Sequence, residues 1–122
     1  GPVLITASYA GIADTLQRQC RRLGAPAATV PADVGLAVNL RRQRPVAVIC
    51  DLVFAGDGAT ELLRTVAHYD PDLPLLCLVD HGEGAIDIGA PPIRELMLSR
   101  IETATRPLRS ATLDRFLAEA LA

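Results

Sequence analysis

Three short unbroken apolar runs, Val3 to Ile5, Val46 to Cys50 and Leu75 to Val79, stand out along the chain. Runs of this length without polar alternation predict strands covered on both faces, as in a parallel sheet. Ala27 to Val30 is a weaker fourth run. Between the runs the spacing changes to three and four. Ile12, Leu16, Gln19, Cys20 and Leu23 mark one helix, stopped by Gly24. Leu36, Val38 and Leu40 mark a second within Val34 to Arg42, and Leu62, Leu63 and Val66 a third within Ala59 to Tyr69, ended by Asp70-Pro71. Leu113, Phe116, Leu117, Ala120 and Leu121 form the clearest amphipathic stripe, with Ser110 or Thr112 as its expected N-cap.

Strand and helix thus alternate along the whole chain without a repeat. This predicts an α/β doubly wound parallel sheet with helices on both faces. Asp80 to Arg100 is the least regular part, and reads as a long loop followed by a brief helix through Ile93, Leu96, Met97 and Leu98. Ile101 to Thr105, IETAT, alternates and is polar, which suits a sheet edge, and Arg106-Pro107 stops it.

Composition narrows the function classes. Half of the 122 residues are hydrophobic, enough for one core, so a single domain over residues 3–122 is expected, with Gly1 and Pro2 read as the remnant of a cleaved tag. No apolar run reaches the length of a membrane span, no signal peptide is evident and the net charge is only -2, so a cytoplasmic domain is expected. Cys20, Cys50 and Cys77 are widely spaced and form no C-x-x-C pair, which makes them reduced, buried hydrophobes. With four aromatic residues and no basic run, no nucleic-acid surface is expected. All twelve basic residues are arginine, so chemistry that needs a lysine ammonium is closed. His68 and His81 lack partners at metal-ligand spacing, and Ser8 and Ser99 lack the context of a nucleophile. No metal site or hydrolase is expected.

What remains is Asp51, a single carboxylate at the end of an apolar run, where open α/β sheets place their functional crevice. Read from the residues alone, it either ends a strand, held by a neighbouring amide or by Arg106, or serves chemistry. In its setting, ICDLVFAGDGATELL, together with VLITASY at the first strand, DLPLLCLVD at the fourth and TATRPLRSATL at the fifth, the chain resembles the receiver domain of two-component response regulators. The resemblance implies five strands in the order 2-1-3-4-5 and places Asp51 at the phosphoacceptor position.

The rest of the receiver pattern is missing. Ala7 and Ser8 stand where the resemblance implies an acidic pair that holds magnesium, Val79 where it implies a hydroxyl, and Arg106 where it implies a lysine before Pro107. The loop after Asp51 is about one residue short, and Ala55 replaces its common proline. Two anions must meet in phosphoryl transfer, so losing the metal carboxylates weighs most. Asp57 and Asp80 read as solvated turn residues. The expectation is a degenerate receiver, a pseudoreceiver needing no cofactor and no magnesium, cut from a hybrid histidine kinase and docking to kinase or receiver domains of the same protein. A genuine receiver phosphorylated on Asp51 is the alternative. By the same resemblance, Thr103, Thr105, Arg106, Pro107 and Arg109 form a face where some degenerate receivers bind cyclic di-GMP.

Overall fold

A computed structural model describes residues 1–7, 10–53, 58–80 and 86–122. The elements follow in the order β1 (Val3–Thr6), α1 (Ala10–Arg22), β2 (Ala27–Thr29), α2 (Val34–Gln43), β3 (Ala47–Asp51), α3 (Gly58–Tyr69), β4 (Leu75–Val79), α4 (Pro91–Arg94), β5 (Ile101–Thr105) and α5 (Ser110–Ala120). The five strands form one sheet in the order β2-β1-β3-β4-β5. All four pairings are parallel. Val3 and Ala47 stand opposite one another, as do Thr6 and Cys50, so β1 and β3 are neighbours, as the order 2-1-3-4-5 requires.

Each sheet face has its own core, because successive side chains of a strand point to opposite sides. Leu4, Val48, Cys50, Leu75 and Cys77 meet Leu36 and Leu40 of α2, Leu63 and Val66 of α3 and Ile93 of α4. Val3, Ile5, Ile49, Leu76 and Leu78 meet Leu16 and Cys20 of α1 and Leu113, Phe116 and Leu117 of α5. The central strands are buried on both sides, which is why they read as continuous apolar runs rather than alternating ones. Each fully buried leucine contributes about 1.5–3 kcal/mol.

Several boundaries differ from the sequence reading. Val38 of α2 and Leu23 beyond α1 are exposed, so the core stripe of α1 is Ala13, Leu16 and Cys20. Gly24 stops α1 as expected, at φ 82°. Arg109, not Ser110 or Thr112, occupies the N-cap of α5, without a side-chain cap bond. That helix is tied down instead through Arg115, whose two guanidinium nitrogens donate to Glu102 of β5 at 3.1 and 2.5 Å. The brief helix expected through Ile93, Leu96, Met97 and Leu98 shrinks to α4, a single turn that keeps only Ile93 of the four and leaves Met97 exposed. Thr103 and Thr105 of the edge strand are exposed. Among the described residues no helix is long and apolar enough to cross a membrane.

The three cysteines are free thiols and buried. Burial pushes the Cys20 thiol up to about 11 and the Cys77 thiol up to about 12. Cys50 is raised by burial first, then by neighbouring Cys77 and Asp51. A thiol raised in the folded state favours folding fully below its unfolded value, near 9, and that contribution disappears as pH climbs through the folded value. Stability is therefore expected to fall from about pH 9 to pH 12, with a slope of up to about 1.4 kcal/mol per pH unit for each thiol. Denaturant melts across this window check it, and a flat profile would contradict the buried thiols.

Candidate functional site

Asp51 is the last residue of β3 and lies at the carboxyl edge of the sheet, beside β1 and β4. It is buried, and its side chain has no solvent exposure. Both carboxylate oxygens are engaged. The backbone amide of Val53 donates to Oδ1 at 3.1 Å, and the Arg106 Nη2 donates to Oδ2 in a charge-assisted bond. The sequence reading allowed an amide or Arg106 as the partner, and the folded chain uses the two together.

Arg106 follows β5 directly and reaches Asp51 across β4. Its peptide bond to Pro107 is cis. The two-residue period of β5 turns Glu102 and Ala104 toward the α1 and α5 layer, as it turns Ala47 and Ile49 of β3. Asp51 and Arg106 carry those two rows one step further. Their meeting is thus a product of strand parity and register, with the guanidinium keeping 29% side-chain exposure.

Among the described residues around the pair there is little that could hold a cation. Ala7 is half-buried and packs into the α1 and α5 core. Thr6, the last residue of β1, is buried, and its hydroxyl has no hydrogen-bond partner among the described residues. It carries no charge. Val79 ends β4 half-buried, and Asp80 beyond it is exposed. Ser8, Ala55, Asp57 and His81 lie outside the described residues. Among the described residues no group of three or more His, Cys, Asp or Glu side chains could hold a metal ion. A hard divalent cation needs several oxygen ligands with negative charge among them. The Asp51 carboxylate is already neutralised by a guanidinium, so the described residues do not fit magnesium.

The remaining sequence-derived candidates divide in two. Thr103, Thr105, Pro107 and Arg109 are exposed on and after the edge strand. Arg106 does not join them, because its guanidinium is turned to Asp51. Sequence reasoning allowed a neighbouring amide without naming Val53, and it missed Thr6 and a cleft between α1 and the segment after β5, lined by Ile12, Leu16, Leu78 and Leu108. Backbone donors leave no trace in side-chain identity. The cleft had a faint one, since Ile12 and Leu16 were already visible as an apolar row.

No protein-family model matches the sequence, and no curated protein is similar enough to count as a relative. Solved structures do match. The N-terminal signal receiver domain of a two-component response regulator from Bacteroides fragilis superposes with a TM-score of 0.78 at 20% identity, covering 100% of this chain and 97% of that one. The chain has the receiver fold. The receiver domain of NtrX from Brucella abortus matches with a TM-score of 0.75 at 24% identity, covering 98% and 97% of the two chains. The chemotaxis protein CheY4 from Vibrio cholerae matches with a TM-score of 0.73 at 14% identity and covers 98% of each. At these identities the likeness carries the fold, and the pocket of this receiver fold has to be judged on its own residues.

Proposed function

We propose that this chain is a pseudoreceiver: a receiver-fold module of a two-component signalling protein that docks to the kinase or receiver domains of its parent without accepting a phosphoryl group. The observation that supports this most is the state of Asp51. A phosphoacceptor must present a carboxylate oxygen to an incoming phosphorus, with a divalent ion bridging the anions. Here the side chain is fully buried and both oxygens already accept hydrogen bonds. Ala7 brings no charge to a metal. Arg106 supplies the positive charge internally, so the pocket holds one fixed electrostatic state instead of two.

Docking, not catalysis, is then the role left to the surface. A hybrid histidine kinase fits as the parent because a pseudoreceiver acts on domains held at high effective concentration by a linker. A cyclic dinucleotide on the edge-strand face is the weaker reading, since of Thr103, Thr105, Arg106, Pro107 and Arg109 only Arg109 is an exposed cation.

Magnesium titration tests the reading. Millimolar magnesium is expected to leave the backbone amide resonances of Thr6, Ala7, Asp51 and Val53 unmoved. Saturable shifts confined to those residues would overturn it.

A further inference from the structure

A second cleft, about 420 Å³, opens between the later turns of α2 and α3. These helices lead into the starts of β3 and β4, so the cleft lies at the amino edge of the sheet, opposite Asp51. Ala37 and Arg41 of α2 and Thr65, His68 and Tyr69 of α3 line it, with no acidic residue among them. The volume falls in the range of about 300–1,000 Å³ typical of small-molecule sites. Tyr69 is half-buried and packs against the core of this sheet face, which fixes one aromatic wall.

Three of the five lining side chains carry donors that the fold leaves unused. Among the described residues Arg41, His68 and Tyr69 make no side-chain hydrogen bond or ion pair. Thr65 differs, because its hydroxyl donates to the Glu61 carbonyl at 2.9 Å. Arg41 and His68 stand in the last turns of their helices, where a basic group offsets the negative helix end. That accounts for their charge, but not for a tyrosine hydroxyl on the same cleft.

We propose that this cleft binds a small phosphate monoester with a flat apolar body, its phosphate accepting from Arg41, His68 and Tyr69 and its body resting on Ala37 and the Tyr69 ring. The occupant follows from the donor count. A phosphate monoester presents three acceptor oxygens and a charge of about −1.5 to −2 at neutral pH, enough to answer all three donors. A carboxylate has two oxygens, and one guanidinium fork satisfies both, which leaves His68 and Tyr69 over. The cleft is larger than a phosphate alone, and the rest of its lining is suited to an apolar group. This inference goes beyond the proposed function and does not depend on it. Magnesium shifts at Thr6, Ala7, Asp51 and Val53 would overturn that reading and leave this cleft untouched.

Phenyl phosphate, phenol and inorganic phosphate are the probes, titrated in magnesium-free buffer and followed by amide resonances and calorimetry. Phenyl phosphate is expected to bind saturably, with shifts at Ala37, Arg41 and Thr65 to Tyr69. Its affinity is expected to exceed that of phenol at least about tenfold and that of inorganic phosphate at least about threefold. Arg41→Gln is expected to weaken phenyl phosphate at least about tenfold, and Tyr69→Phe, which keeps the ring, severalfold. Arg42 is exposed and lies outside the cleft lining, so Arg42→Gln removes the same charge and is expected to change binding less than about twofold. Equal losses in the two arginine variants would reduce the effect to diffuse surface charge and overturn the inference. So would inorganic phosphate binding as tightly as the ester, or no saturable binding of phenyl phosphate.

Discussion

Replacing Arg106 with alanine is expected to lower the unfolding free energy by about 3 kcal/mol, and the melting temperature by about 10 °C. Removing one partner of a buried pair costs about 3–5 kcal/mol, because an uncompensated charge stays behind. Asp51 meets that condition, with a fully buried side chain left holding only the Val53 amide. The lower end of the range applies because Arg106 itself is 29% exposed, so water would enter the space it vacates. Asp51→Asn is expected to be milder, about 1 kcal/mol, since an amide keeps acceptor capacity and the Arg106 side chain is partly open to water. The double variant should then be more stable than Arg106→Ala alone, with a coupling of about 1–2 kcal/mol. Denaturant melts of the four proteins measure it. Additive losses would mean that the two side chains do not sense one another in solution.

The architecture was largely legible before any coordinates, because burial on both faces writes a strong signal. Val3 to Ile5, Val46 to Cys50 and Leu75 to Val79 became β1, β3 and β4 within a residue or two. IETAT became the edge strand β5. Weaker signals misled where an apolar residue sat on a solvent face, as with Val38 and Leu23. The N-cap of α5 was misplaced for a related reason. Serine and threonine are good caps in general, but the backbone there turns into the helix at Arg109, and tertiary contacts from Arg115 to Glu102 substitute for a cap. In the site, Asp51 and Arg106 were each legible as residues, by position and by the following proline. Their bond was only one of two options, because parity and register across three strands decide it. The cleft along α1 left only the faint trace of Ile12 and Leu16, since it arises where α1 passes the segment after β5, some ninety residues later in the chain.

The second large effect is an absence of chemistry with a measurable scale. A receiver that works takes one phosphoryl group per chain from a small donor, and the magnesium bridge carries much of the electrostatic load of that step. In this chain the carboxylate oxygens are held by Arg106 and Val53, the described residues offer no carboxylate set for the ion, and Ala7 brings no charge. Loosening the pocket by Arg106→Lys should not restore transfer, because a lysine supplies charge but no metal ligand. Adding Ala7→Asp and Ser8→Asp together supplies the missing anions, and is the change expected to bring transfer closest. The most direct measurement is the intact mass of the wild-type chain after incubation with acetyl phosphate and magnesium. The mass is expected to stay unchanged over hours. A stoichiometric gain of one phosphoryl group, lost in Asp51→Asn, would contradict the account and make this domain a genuine receiver.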